Sequence, residues 1–185
     1  IAFPYSDEFE SEVKKYQLWY PAKHTVIHST VPPGTSRKCN ASHSPVIGIH
    51  PFLDEGIKPF TKMLGGAAPE VAQYFKRAGL KVYCFDDPET TELMKILDTT
   101  FYGVCIEYTK SVKKVCDELG IPFEAWTLWT NVYNEGYQKM GRPEFTRPNL
   151  VPLMKKTGGH CVLPNCDLLD TKFTKLIKQV NDEIH

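Results

Sequence analysis

Residues 24–35 read His-Thr-Val-Ile-His-Ser-Thr-Val-Pro-Pro-Gly-Thr, a β-branched run followed by a turn with two prolines and a glycine. The β-branched run favours a central strand. A predicted helix with Phe9 and Val13 on one face precedes it, and residues 1–4 form a further strand candidate. Strand, helix and strand make a βαβ unit, which builds parallel sheets with ligands beyond the carboxyl ends of the strands. We therefore predict that loop 29–35 borders a binding site.

The same pattern continues after an interruption. Segment 44–66 is rich in proline and glycine, and we interpret it as irregular. Residues 69–78 then predict a helix that leads into a strand over 81–85. These elements extend the α/β region to residue 87.

The periodicity changes at Pro88. An apolar stripe with a period of 3.6 continues for about 30 residues, which predicts a helix of about 45 Å that Gly120 ends. A second helix over 123–137 carries an aromatic face, which favours either a homodimer interface or an intramolecular core. The predicted fold is therefore α/β followed by all-α: a partial Rossmann-like parallel sheet over 1–87, and a helical domain built on one long helix over 88–185.

Composition excludes several classes of protein. Hydrophobic residues are 42% and charged residues 24% of the chain, which is typical of a globular protein. The 22 basic side chains balance 22 acidic ones, so no positive field favours nucleic acid, and no apolar run approaches the roughly 20 residues of a membrane helix. The six cysteines are scattered and form no C-x-x-C pair, so we expect reduced thiols, a cytoplasmic location and no metal site. Because the chain opens in an apolar run without a methionine, we expect a fragment.

A few residues are candidates for chemistry. Cys161 follows a glycine pair and precedes a predicted helix, whose N-terminus favours a thiolate, although a partly buried structural cysteine is the alternative. Lys95 and Thr99 share one face of the long helix, where the lysine is either solvated or reaches into a cleft. Glu55 is either a surface residue or part of a site under segment 44–66. The chain contains no G-x-G-x-x-G turn for a dinucleotide.

Taken in order, four motifs resemble the UDP-glucose/GDP-mannose dehydrogenase family. The resemblance runs over nearly the whole chain, and the glycine-glycine-x-cysteine element is its most specific part. The motifs are Ser29-Thr30-Val31-Pro32-Pro33-Gly34-Thr35, Phe52-Leu53-Asp54-Glu55-Gly56, Glu92-Leu93-Met94-Lys95 and Gly158-Gly159-His160-Cys161.

This resemblance implies a nucleotide-sugar dehydrogenase that uses NAD to oxidise a C6 alcohol to a carboxylate through a cysteine thiohemiacetal and thioester. Cys161 would be the nucleophile, Lys95 would stabilise oxyanion charge, Thr30 would hold water, and Glu55 would lie near cofactor and substrate. The resemblance also implies a homodimer formed through the long and aromatic helices, and a chain that lacks the first half of the Rossmann domain and a C-terminal domain. Cofactor contacts are expected from Ser29, Thr30 and Glu55, and substrate contacts from Thr99, Gly158, Gly159 and Asn165.

Three positions depart from the family's pattern. The carboxylate expected before Phe52 is Pro51 or, in another alignment, Val46; the asparagine after the lysine is Thr99; and the aspartate after the cysteine is Asn165. Losing a general base costs on the order of 10² to 10⁴ in rate, so we expect little activity from this chain alone. Two alternatives remain: a non-catalytic dimerisation or binding module, and a cysteine hydrolase that pairs His160 with Cys161.

Overall fold

The computed structural model describes residues 1–48, 52–158 and 161–183. The chain divides into two compact units, Ile1–Asp98 and Thr99–His185. The first combines helices with a sheet, and the described part of the second is helical, so the predicted order of α/β followed by all-α is confirmed. The predicted domain boundary after residue 87 stays a prediction.

The described residues of the first unit form four short strands and four complete helices. The segment 44–66, which we expected to be irregular, includes a short helix and a four-residue strand, so that expectation was wrong. In chain order the elements are α1 (Phe9–Trp19), β1 (Val26–Ile27), α2 (Thr35–Lys38), β2 (Ser42–His43), α3 (Leu53–Ile57), β3 (Lys62–Gly65), α4 (Pro69–Arg77) and β4 (Val82–Phe85).

The strands form one sheet in the order β1-β2-β3-β4. The pairs β1/β2 and β3/β4 are parallel, whereas β2 and β3 are antiparallel, with His43 opposite Gly65. The sheet is therefore mixed, and the expectation of a purely parallel sheet needs this correction. Its physical reason is that β2 and β3 run in opposite directions, so the carboxyl end of β2 and the amino end of β3 lie at the same end of the sheet and can be joined without a crossover.

Apolar side chains cover both faces of this sheet. Ile27 packs with Phe9 and Val13 of α1 on one face. Its neighbour Val26 points to the opposite face, where Leu64 of β3 packs against α4. This alternation follows from the two-residue period of a strand. Ile27 is buried and Val26 is half-buried, which suits a β-branched run. The run therefore predicted a strand correctly, but in the described sheet β1 stands first in the order and lies at an edge, so the expected central position was wrong.

The long helix α5 (Pro88–Glu118) begins in the first unit and ends in the second. Gly120 follows it in a left-handed conformation, as predicted. The second unit continues with α6 (Phe123–Lys139), a 3₁₀ turn (Pro143–Phe145), α7 (Val162–Cys166) and α8 (Lys172–Asp182).

A small apolar core holds the second unit together. Val162 and Cys166 of α7 and Ile177 of α8 are buried, and Val104 and Ile106 of α5 pack against them. Other apolar residues of the unit remain exposed. Phe101, Tyr108, Leu128, Trp129 and Val132 each expose more than half of their surface.

Candidate functional site

The loop that follows β1 is fixed to its surroundings by hydrogen bonds. The Ser29 hydroxyl donates to the Phe3 carbonyl at 2.6 Å, and the Ser29 carbonyl accepts from Nε2 of His43 at 3.1 Å. Thr30, the next residue, is half-buried. Since the Ser29 hydroxyl already has a backbone acceptor, its main role is to hold the loop, and Thr30 is the better placed of the two to bind a ligand.

His43 links this loop to the start of α5. Its Nδ1 lies 2.8 Å from the hydroxyl of Thr91. A carbonyl can only accept, so the contact with Ser29 assigns the proton to Nε2 and leaves Nδ1 to accept from Thr91. The ring is fully buried, and this burial lowers the pKa of His43 from 6.5 to about 4. Near neutral pH His43 is therefore an uncharged connector of β2, the loop and α5.

Glu92 of α5 makes the second link, and sequence reasoning gave it no role. Its carboxylate is completely buried and accepts the backbone N–H groups of Gly34 at 2.6 Å and Ser36 at 2.8 Å. Gly34 has a φ of 95°, a left-handed conformation that glycine adopts without strain. The local signal for this contact was a turn with free N–H groups and a glutamate one turn before Lys95.

Lys95 and Thr99 follow Glu92 along the same helix. Lys95 is half-buried, Thr99 is buried, and spacings of three and four residues place all three on adjoining turns. The two bonds of Glu92 therefore hold residues 34–36, at the end of the loop that carries Thr30, against the helical turn that precedes Lys95.

Glu55 lies apart from this arrangement. It is exposed on α3, and the two bonds of Glu92 do not involve it. Val46 lines an apolar cavity of about 350 Å³ together with His28 and Lys62, while Pro51 is outside the described residues. Burial lowers the pKa of both His28 and Lys62.

Cys161 belongs to the second unit. It is exposed and occupies the N-cap position of α7. Asn165 is on the same helix one turn later and is only 6% exposed, while Gly158 is exposed. Gly159 and His160 lie outside the described residues. The convergence of Cys161 with Lys95 therefore stays a prediction, as does the hydrolase pairing.

A cavity of about 640 Å³ lies beside the segment that leads to Cys161. Tyr102, Ile106 and Lys110 of α5 form part of its wall, and Thr157 and Gly158 form another part. Its size is within the range of about 300–1,000 Å³ that small-molecule sites occupy.

The described residues contain no group of three or more histidine, cysteine, aspartate or glutamate side chains arranged to hold a metal ion. In the same part of the chain, no helix combines the length and apolar character needed to cross a membrane.

Known proteins provide a comparison for this arrangement. No protein-family model matches the chain. The UDP-N-acetyl-D-mannosamine dehydrogenase of Methanococcus vannielii is 22% identical over 177 residues, which cover 86% of this chain and 38% of that protein. This chain thus spans well under half the length of that curated relative.

Solved structures agree with the sequence comparison. The UDP-D-ManNAc dehydrogenase from Pyrococcus horikoshii has a TM-score of 0.75 at 16% identity and covers all of this chain and 49% of its own. A UDP-glucose dehydrogenase from Pyrobaculum islandicum has a TM-score of 0.71 at 17% identity, over 99% of this chain and 49% of its own. The curated and structural neighbours of this chain are thus UDP-sugar dehydrogenases, which confirms the resemblance inferred from its motifs.

Proposed function

We propose that this chain carries part of the site of an NAD-dependent nucleotide-sugar dehydrogenase, which oxidises a C6 alcohol towards the carboxylate. The observation that carries this proposal is the pair of bonds by which Glu92 holds the 29–36 loop beside the turn of Lys95. The motif that begins at Ser29 and the motif that ends at Lys95, far apart in the sequence, thereby contribute to one proposed site. The names and folds of the similar proteins support the same chemistry.

Each proposed residue has a distinct task in this chemistry. The Cys161 thiolate adds to the carbon of the intermediate aldehyde, a C–S bond forms, and the carbonyl oxygen takes the electron pair. The Lys95 ammonium stabilises that oxygen. Oxidation of the resulting thiohemiacetal gives a thioester, and a water molecule held by Thr30 hydrolyses it to the carboxylate and the free thiol. NAD, when bound, accepts the hydride removed in each of the two oxidations.

The residues present fit part of an NAD site. Thr30 is half-buried and lies just beyond the carboxyl end of β1, the end of the strands at which such sheets bind ligands. The Ser29 hydroxyl is already bonded to the Phe3 carbonyl. Glu55 is exposed on α3, where its carboxylate is accessible to a ligand. The chain itself contains no glycine-rich dinucleotide turn. We therefore assign it contacts to one end of the cofactor and leave the pyrophosphate to a segment outside this sequence.

The 640 Å³ cavity is the proposed site for the nucleotide sugar. Two exposed lysines line it, Lys155 and Lys156, which suits an anionic diphosphate, whereas the ammonium of Lys110 is already paired with Glu107. Gly158, which we expected to contact substrate, is part of its wall. Thr99 and Asn165 are both buried and would act on the substrate only through small exposed parts of their side chains.

A second candidate is a binding module that kept the fold without the chemistry. Its support is the replacement of the expected acids and amide by Val46 or Pro51, Thr99 and Asn165. The exposed apolar residues of α5 and α6 favour a homodimer in either case. All six cysteines are free thiols, which suits a reducing compartment such as the cytoplasm.

Protection of Cys161 from alkylation tests the proposed site. UDP-N-acetyl-D-mannosamine at saturation should slow iodoacetamide modification of Cys161 about tenfold, because a bound sugar would cover the thiol. Peptide-resolved mass spectrometry measures it, and the exposed Cys84 of the first unit provides an internal control that the ligand should not affect. Equal rates with and without millimolar ligand would contradict the dehydrogenase proposal. A binding module that lost its site predicts that result.

A further inference from the structure

A buried polar cluster on α5 holds the segment that precedes Cys161. Nζ of Lys110 donates to Oε1 of Glu107 at 3.0 Å and to the Thr157 hydroxyl at 2.5 Å, and that hydroxyl donates to the same Oε1 at 2.6 Å. The backbone N–H of Thr157 donates to Oδ1 of Asn181 on α8 at 2.5 Å. Thr157 is therefore fixed to two helices, four residues before the candidate nucleophile.

The residue that follows Cys161 in the sequence also packs against α5. Val162 is 6% exposed and packs so closely on Gly103 that a Cβ at Gly103 would lie 2.7 Å from a Val162 methyl group and 2.9 Å from one of Ile177. Gly103 and Glu107 are one turn apart on α5. Cys161, although exposed, thus lies between two attachments to adjacent turns of one helix.

Burying the charged side chains of Glu107 and Lys110 costs free energy, which indicates that they do more than stabilise the fold. The Glu107 and Lys110 side chains are only 4% and 3% exposed, and removing two charges from water is expensive even when they pair. An apolar pair of similar size would stabilise the helix at least as well. The charged pair instead fixes the position of Thr157, because the three mutual hydrogen bonds can form together only when the Thr157 side chain occupies one place.

We infer that Glu107, Lys110 and Thr157 are positioning residues that hold the Cys161 segment in a fixed place on α5. The role of Cys161 as nucleophile rests on the function proposed above, but the restraint itself does not. A thiol that must meet a reacting carbon within a few tenths of an ångström needs such support from residues that never touch the substrate.

A nitroxide spin label on Cys161 tests this inference. The label is attached in a Cys84→Ser background, which removes the other exposed thiol, and mass spectrometry confirms the labelled site. Thr157→Val keeps the shape of the side chain and removes its hydroxyl, so we expect the electron paramagnetic resonance spectrum to show a several-fold shorter rotational correlation time. Thr157→Ser keeps the hydroxyl and should restore the slow motion.

Controls separate local restraint from general stability. Thr146→Val removes an exposed hydroxyl that bonds only to Pro143 within its own turn, so the spectrum should not change. Val162→Ala loosens the other attachment and should also shorten the correlation time. Circular dichroism melting verifies that each variant is folded at the temperature of the measurement.

Three results would overturn the inference: an unchanged spectrum in folded Thr157→Val, a Thr157→Ser spectrum as mobile as that of the valine variant, or a label that is already mobile in the unmutated background. The measurement contains neither nucleotide sugar nor NAD. A failure of ligand to protect Cys161 would therefore count against the proposed function and leave the restraint standing, and a mobile label in the unmutated background would do the reverse.

Discussion

Two buried glutamates of α5 hold two different segments by different chemistry. Glu92 in the first unit accepts two backbone N–H groups of a turn, and among the described residues no cation donates a hydrogen bond to it. Glu107 in the second unit shares one oxygen between the Lys110 ammonium and the Thr157 hydroxyl. The first carboxylate is stabilised by peptide dipoles and the second by a full charge.

This difference shows that how firmly a buried glutamate holds a segment depends on which groups stabilise its carboxylate. Peptide N–H groups belong to the backbone, so among single substitutions in the turn only proline removes one of them. Lys110 is a side chain, and its removal leaves a carboxylate without a counter-charge in a dry place. The attachment of the Cys161 segment should therefore be the more easily broken by mutation.

The largest effect is expected from Lys110→Met. It leaves the Glu107 carboxylate buried without its counter-charge, which costs about 3–5 kcal/mol of unfolding free energy. Urea denaturation followed by circular dichroism measures this loss. The double variant Glu107→Met with Lys110→Met removes both charges and should recover most of it, so a double variant as unstable as the single one would contradict the ion-pair explanation.

Acid should weaken the first unit next. His43 titrates at about 4 in the folded chain and near 6.5 when unfolded, so between these values only the unfolded state takes up the proton. The contribution of neutral His43 to the free energy of unfolding is fully present above pH 6.5, and up to about 3 kcal/mol of it is lost as the pH falls to 4. His43→Asn cannot take up this proton, so the difference in unfolding free energy between it and the unmutated chain should shrink over that range. A difference that is constant with pH would refute the assignment.

Glu92→Gln should have a smaller effect. The amide replaces one acceptor oxygen by an N–H₂ group, which leaves a buried backbone donor unsatisfied at a cost of about 2 kcal/mol. The Gly34 and Ser36 amides are the donors, so their hydrogen exchange should accelerate by roughly 30-fold, as measured by nuclear magnetic resonance. Glu135→Gln provides the matched control, because it only removes an exposed ion pair with Lys139 and should change stability by less than about 0.5 kcal/mol. Unchanged exchange at both amides would show that Glu92 does not hold the turn.

Local pattern predicted the elements whose own sequence is strongly periodic. The 3.6-residue stripe and Gly120 gave the long helix, and the β-branched run gave β1. The pattern was insufficient for β3, because Lys62-Met63-Leu64-Gly65 has neither alternation nor β-branched residues. The direction of that strand depends on where residues 44–61 turn back, which no short-range signal encodes.

The candidate site was predictable only in part for the same reason. Thr30, Lys95 and Cys161 came from motifs that resemble a known family, and each is the visible part of a longer pattern. Glu92 and Glu107 make contacts across more than 45 residues of sequence, with the 34–36 turn and with Thr157. Helical spacing alone marks such glutamates as surface residues, and only the fold shows that they are buried.

The exposure of Cys84 and Cys161 also affects how the purified chain behaves in air. Two accessible thiols, one in each unit, can link neighbouring molecules by intermolecular disulfides. Such oxidised species would have the mass of the proposed homodimer, and they would continue into longer chains because each molecule offers two linking points. Sedimentation experiments on self-association are therefore meaningful only under a reductant, where any remaining dimer is non-covalent.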